Sequence, residues 1–270
     1  MSHNRLPISV FIIAKNEALR IAQVIESVID WVDEVIVIDS GSTDKTVEIA
    51  ENLGCKVVYH AWQGYEVQKI YGESLCAHKW ILNIDADEEV SPELAAEIQA
   101  LFKNGNEPSK KAYRLKITVV HRFENRIRRF APFNAPIRFY HRDFASFANK
   151  TQIHKTHDSV IINKERMNEN EVVTLTKPVF HRSMLSIWQM VYKGNFVTTE
   201  QAEDLLSQGR NPSLIRLIFE PFLFFFKSFI LRRHFIFGLH GFIDSVIYSF
   251  IRFLRLAKAR ELFDQQKFHK

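Results

Sequence analysis

Short apolar runs set the tightest condition on what this chain can fold into. "ISVFIIA" (Ile8 to Ala14), "EVIVID" (Glu34 to Asp39), "CKVVYH" (Cys55 to His60) and "WILNID" (Trp80 to Asp85) recur along the N-terminal third. The first, second and fourth are continuous and apolar, as strands buried on both faces are, and the third reads as a further strand. The segments between them have helical spacing. In "EALRIAQVIESVID", Leu19, Ala22, Ile25 (or Val24) and Val28 share a face. "SGSTDKTVEIAENLG" supplies N-cap candidates, a helix through Leu53 and Gly54 as its stop. "YEVQKIYGESLCAH" is a third helix. This alternation predicts right-handed crossovers and an α/β fold, a mainly parallel Rossmann-like sheet flanked by helices. In such sheets ligands bind at the carboxyl ends of the strands.

Polar residues cluster at those ends. The first run stops at Lys15, Asn16 and Glu17, and the second at Asp39 followed by Ser40, Gly41, Ser42, Thr43 and Asp44. The fourth stops at Asp85, with Asp87, Glu88 and Glu89 close behind. Carboxylates this close repel unless a counter-charge or water relieves them. No G-x-G-x-x-G follows the first strand and no G-x-x-x-x-G-K-[ST] occurs, so dinucleotide and P-loop readings lack their phosphate cradles. A divalent cation held by Asp87 would neutralise a polyphosphate here, since hard oxygen ligands suit Mg²⁺ or Mn²⁺. The competing explanation makes "DSGSTD" a turn and helix cap, and "DADEEVSPE" a solvated loop.

The ordered set "FIIAKNE", "VIDSGSTDKT" and "NIDADEEV" resembles family 2 glycosyltransferases of the GT-A fold. It is similar in particular to small bacterial enzymes that glycosylate the lipopolysaccharide inner core, of the β-1,4-glucosyltransferase type. The likeness is strong over about residues 6–100 and looser through "RFYHRD", "HKTHDS", "FHRSMLSIWQMVYKGN" and the C-terminal tail. It implies that Lys15, Asn16 and Glu17 border the nucleotide base. It also implies that Asp39 contacts the uracil or ribose, that Asp85 sits by the ribose, and that Asp87 binds the metal bridging the phosphates.

"AYRLKITVVH" (Ala112 to His121) reads as a further strand. Arg122, Arg126, Arg128, Arg129, Arg138 and Arg142 follow, either as solvated surface or as contacts to an anionic acceptor or phosphate. Transfer with inversion needs a base for the acceptor hydroxyl, usually a carboxylate. The resembling enzymes carry V-H-E where this chain has "TQIHKTHDSV". Matching His154 would put Lys155 in the acid's place, whereas matching His157 puts Asp158 there, and Asp158 is the candidate base. His181, in "PVFHRSM", stands where many GT-A enzymes supply a late histidine to the metal; by itself it is equally a packed polar residue.

Ser213 to Lys270 is dense in Phe, and its Lys and Arg outnumber its Asp and Glu within a formal charge of +5 for the chain. No stretch of about twenty residues there is free of charge, which argues against a spanning helix and for an interfacial helix pair on an anionic membrane. Dimerisation is the other use of such a surface; nucleic acid is not expected as a partner. The N-terminal apolar run of about seven residues lacks a small-residue cleavage site and does not read as a signal peptide. Two cysteines, Cys55 and Cys76, in 270 residues fit a reducing compartment.

Residues 1–212 therefore read as a glycosyltransferase domain and 213–270 as a membrane-associating helical tail. The expected activity moves a hexose, from UDP-glucose first of all, onto a lipopolysaccharide core sugar or related glycolipid at the inner face of the cell membrane. A nucleotidyltransferase would also pair carboxylates but should show a Gly- and Arg-rich loop where this chain has "AKNEALR". A non-catalytic membrane-surface protein would have no reason to bind UDP only with Mn²⁺.

Overall fold

The computed structural model describes residues 5–147 and 159–268. Packing divides the chain into two compact units, one of residues 1–119 with 133–183, the other of residues 120–132 with 184–270.

The first unit is the α/β body. Strands β1 (Leu6–Ala14), β2 (Val32–Asp39), β3 (Lys56–Tyr59) and β4 (Trp80–Asp85) alternate with helices α1 (Ile21–Glu26), α2 (Thr46–Asn52) and α3 (Tyr65–Leu75). After β4 come β5 (Glu88–Val90), α4 (Pro92–Leu101), β6 (Ala112–Val119), β7 (Phe133–Asn134), β8 (Ile137–His141) and β11 (Val173–His181). A separate small ribbon pairs β9 (Ala145–Ser146) with β10 (Ile161–Ile162). The main sheet runs β3-β2-β1-β4-β8-β6-β11-β5, with β7 on β6. β1 pairs in parallel with β2 and β4, β2 with β3, and β6 with β11, while β8, β5 and β7 run antiparallel to their neighbours. Ile8, Val10, Phe11 and Ile12 of β1 are fully buried, as the unbroken apolar run predicts.

α1 is shorter than its sequence spacing suggests. Its inward face is Ile21, Val24 and Ile25, continued by Val28, whereas Leu19 is 84% exposed. Asn16 adopts a left-handed conformation (φ 57°), and the turn from Glu17 to Arg20 comes before the helix, with the N–H groups of Arg20 and Ile21 both donating to Glu17 O at 2.9 Å. α3 departs from ordinary amphipathicity, because the face it turns inward carries Glu66, Gln68, Lys69 and Glu73. The backbone approaches closely at Gly72, where a Cβ would lie 2.7 Å from Phe11 Cδ2 and 2.9 Å from Ile38 Cδ1. Gly72→Ala is expected to destabilise the protein by about 1–3 kcal/mol through overpacking. Urea unfolding measures it, and a loss below a few tenths of that would show the sheet face to be more yielding than its burial implies.

The second unit is helical. α5 (Ile187–Ser207) is capped by Ser186, whose Oγ accepts from Gln189 N at 3.0 Å; α6 (Leu214–Phe226) is capped by Ser213. α7 spans Gly238–Phe268. α5 meets α7 at Gly194, where a Cβ would stand 2.5 Å from Ile251 Cδ1. Lys258 Nζ reinforces the contact by donating to Asn195 O at 2.7 Å. Glu220 of α6 pairs with Arg252 at 2.6 Å and Arg255 at 3.2 Å of α7. Arg122 grips Asp244 in a two-pronged pair at 2.9 and 2.8 Å, tying residues 120–132 to α7. Much of the apolar surface stays uncovered, including Leu214, Ile215, Phe219 and Phe222 on α6 and Leu239 and Phe250 on α7. The interrupting charges argue against a span, yet His234–Phe268 is long and apolar enough to cross a membrane by length and composition.

Candidate active site

Strand register assembles the rim. Ala14 lies beside Asp39 and Ile13 beside Asp85, so the ends of β1, β2 and β4 are level. Antiparallel pairing of β5 with β11 sets His181 opposite Glu88, next to Asp87. Lys15, Asn16, Glu17, Asp39, Asp85, Asp87 and His181 therefore all belong to one edge of the sheet. Asp158, with the competing His154, Lys155 and His157, lies outside the described residues.

The loops after β1 and β2 are fastened together. Asn16 N donates to Ser42 Oγ at 2.9 Å, and Asn16 Oδ1 accepts from Thr43 N at 2.8 Å. Glu17 N donates to Thr46 Oγ1 at 2.8 Å, and Ala18 N to Asp44 Oδ2 at 3.1 Å. Burial works against the charge on Asp44, but the hydrogen bonds from Thr46 and Ala18 outweigh it and hold the carboxyl below its ordinary value. Lys15 remains exposed.

Asp39 is buried, and its carboxylate accepts from Gly41 N at 2.9 Å, Ser42 N at 3.0 Å and Ser42 Oγ at 2.5 Å. A strand-end location alone suggests that this carboxylate can be removed without harm to the fold; these bonds say otherwise. Asp39→Ala is expected to lower stability by about 1–2 kcal/mol by leaving the turn's donors unpaired, besides any loss of nucleotide affinity. Thermal unfolding with and without UDP separates the two effects, and an unchanged midpoint without UDP would contradict the first.

The crowded carboxylates have counter-charges that come from far along the chain. Lys69 Nζ of α3 lies 2.8 Å from Asp85 Oδ1, and Arg138 Nη2 of β8 lies 2.7 Å from Asp85 Oδ2 and 2.9 Å from Glu88 Oε1. Arg138 Nη1 also donates to Asn83 Oδ1 at 2.6 Å, and Asp85 N donates to Glu88 Oε2 at 3.0 Å. Burial disfavours the charge on Asp85, but Arg138 and Lys69 more than offset it and hold the carboxyl well below the usual range. Glu88 goes the other way: burial, with Asp85 adding to it, raises the carboxyl above its ordinary value despite Arg138.

Neither Arg138 nor Arg142 is a free surface cation. Arg138 is buried against these carboxylates, and Arg142 donates to the backbone oxygens of Cys76 at 3.0 Å and Glu73 at 2.7 Å beyond and within the last turn of α3.

Asp87 has a different set of neighbours. His181 Nε2 lies 3.5 Å and Arg20 Nη1 3.7 Å from its Oδ2. Burial opposes the carboxylate's charge, and pairing with His181 outweighs it, so the Asp87 carboxyl is lowered; the same pairing raises His181 against its own burial. Arg20 is buried, is ion-paired to Glu17, and donates to the carbonyls of Arg182 at 2.8 Å and Ser183 at 3.0 Å. It thus joins the loop after β1 to the end of β11.

Among the described residues no group of three His, Cys, Asp or Glu side chains converges as a self-sufficient metal cage. Asp87 and His181 instead present one carboxylate and one imidazole. That set fits a hard divalent ion completing its shell with water and phosphate oxygens, the usual habit of Mg²⁺ in nucleotide sites.

The sequence pattern puts Lys15, Asn16, Glu17, Asp39, Asp85 and Asp87 at strand ends; it does not single out Arg20 or Lys69, and it offers Arg138 as solvated surface or an acceptor contact, whereas the structure makes it a buried counter-charge. The carboxylate crowding was the signal that cations must be near, and it carried no information about which ones.

Residues 9–160 match the model of glycosyl transferase family 2. A protein described as an uncharacterized glycosyltransferase from Rickettsia bellii is 53% identical over 94% of this chain and 86% of its own length. The lipopolysaccharide core biosynthesis glycosyltransferase LpsC of Rhizobium meliloti is 26% identical over 94% of this chain and 92% of its own. Among solved structures, glucosyl-3-phosphoglycerate synthase from Mycobacterium tuberculosis, bound to Mn²⁺, UDP and glucosyl-3-phosphoglycerate, is 26% identical. That match covers 44% of this chain and 45% of the solved one, with a TM-score of 0.34.

Proposed function

The chain belongs to glycosyl transferase family 2, and from that premise we propose that it is an inverting, divalent-metal-dependent hexosyltransferase using a UDP-sugar, UDP-glucose first of all. The acceptor in this reading is a lipopolysaccharide core sugar or a related glycolipid, supported by the likeness to a lipopolysaccharide core glycosyltransferase along nearly the whole chain. The observation that carries the proposal is the Asp87–His181 pair on the same sheet edge as Asp39 and Asp85.

Asp87 and His181 would hold Mg²⁺ or Mn²⁺, and the ion would supply positive charge against the departing diphosphate. Lys15, Asn16 and Glu17 would border the base, and Asp39 the uracil or ribose. Asp85 would reach the ribose from the exposed third of its side chain, held still by Lys69 and Arg138. A carboxylate, Asp158 in this reading, takes the proton of the acceptor hydroxyl as its oxygen bonds to the anomeric carbon and UDP leaves from the opposite side. The uncovered Phe-rich helices and their basic residues suit a protein resting on the anionic inner face of the cell membrane, where a glycolipid acceptor would also lie.

The test is a panel of UDP-sugars incubated with the full chain and Mn²⁺. Release of UDP from one hexose donor, abolished by EDTA, is the expected result. No metal-dependent release from any of them would contradict the proposal.

A further inference from the structure

The helical unit contains an open hollow to which the proposed transfer chemistry assigns no residue. It is open to solvent, has a volume of about 830 Å³ and is lined by residues 123–129 together with Ile236. Three of its lining residues are arginines, Arg126, Arg128 and Arg129, against one carboxylate, Glu124. Arg128 is committed to the fold. It pairs with Glu124 at 2.5 Å and donates to the carbonyl of Ile236, closing the loop onto the turn that precedes α7. Arg126 and Arg129 are exposed, and among the described residues neither has an ion pair. The one carboxylate in the lining is thus already matched by Arg128, and two guanidinium groups face the cavity uncompensated.

The surroundings narrow the ligand. Phe123 and Phe130 are 65% and 62% exposed beside these arginines, the Phe130 ring lying 4.9 Å from the Arg129 guanidinium carbon. Phe235, next to the lining Ile236, is also exposed. A merely solvated basic loop has no reason to line a hollow with arginines and to set bare phenylalanines in and beside it. Planar guanidinium groups match phosphate oxygens in two-pronged fashion, and exposed aromatic rings suit the boundary between headgroups and acyl chains.

We infer that this cavity is a phosphate-binding site for the headgroup of a membrane lipid, engaging a phosphomonoester through Arg126 and Arg129 while Phe123 and Phe130 enter the interface. The inference rests on the membrane reading of the helices but is independent of the donor chemistry.

The test measures binding of the full chain to vesicles of phosphatidylcholine alone, of phosphatidylcholine with phosphatidic acid, and of phosphatidylcholine with phosphatidylglycerol at matched surface charge. Arg126→Ala with Arg129→Ala should weaken binding to the phosphatidic acid vesicles about tenfold and leave neutral-vesicle binding unchanged, since each basic residue at an anionic surface matters appreciably. Lys227→Ala with Arg232→Ala removes the same charge from outside the cavity and should cost much less. Inorganic phosphate, at constant ionic strength, should compete with phosphatidic acid for the unaltered protein.

Equal losses in the two double variants would mean diffuse attraction and overturn the site, as would an unaffected Arg126/Arg129 variant. A titration in which the variant loses inorganic phosphate binding, while the unaltered protein shows no preference for phosphatidic acid, would make the ligand a free phosphate and overturn the lipid assignment. Failure to bind any vesicle would also remove the membrane reading, but would leave UDP-sugar turnover untouched. Circular dichroism of each variant, with Arg126→Gln and Arg129→Gln as milder replacements, separates lost binding from lost fold.

Discussion

Asp87→Asn is expected to lower hexose transfer by about 10²–10³-fold, the size of effect seen when one electrostatic contributor to a developing charge is removed. The substitution preserves shape and deletes the charge that faces both His181 and Arg20. Those contacts, at 3.5 and 3.7 Å, are long for hydrogen bonds, so the fold should survive their weakening. The loss should appear in turnover and in metal-dependent UDP binding together, because the proposed function makes both depend on the same anionic ligand. Turnover close to that of the unaltered enzyme would remove Asp87 from the site, and with it the assignment of His181.

The second large effect is on stability. Arg138 neutralises both Asp85 and Glu88 from the inside of the sheet. Arg138→Met keeps an unbranched apolar stem and strands the buried Glu88 and the partly exposed Asp85 with Lys69 as their remaining close cation, Asp85 being its direct partner. Removing one partner of a buried charge cluster typically destabilises by about 3–5 kcal/mol, far more than an exposed pair is worth. Urea unfolding should record a loss of that size, whereas Arg129→Met, on the exposed loop, should change stability by no more than about 0.5 kcal/mol. If the two variants unfold alike, the buried network is not what holds the rim.

The body of the fold is legible in the sequence because β1, β2 and β4 bury both faces and therefore read as unbroken apolar runs. Their ends are legible as one rim, since parallel pairing makes them level, while the roles of the residues on that rim come from the family resemblance. The electrostatics are less legible. Arg138 reaches Asp85 across 53 residues of sequence, on a strand that enters the sheet antiparallel. Lys69 and Glu73 lie on a helix whose buried face is polar, which an apolar-periodicity argument cannot find. α1 is misjudged for a related reason: hydrogen bonds from the N–H groups of Glu17 and Ala18 to Thr46 and Asp44 hold residues 17–18 in a loop, and Leu19 is left in solvent despite its helical spacing. In the helical unit the Phe-rich composition announces exposed apolar surface. It gives no hint that Gly194 admits Ile251 and brings α5 against α7.

Isothermal titration of UDP into the full chain, once with Mn²⁺ and once with EDTA, bears most directly on the central claim that Asp87 and His181 join a divalent ion to a nucleotide diphosphate. The account predicts binding that is strong with Mn²⁺, falls at least about tenfold with EDTA, and becomes indifferent to the ion in Asp87→Asn. UDP affinity that is the same with and without Mn²⁺ in the unaltered protein would contradict it.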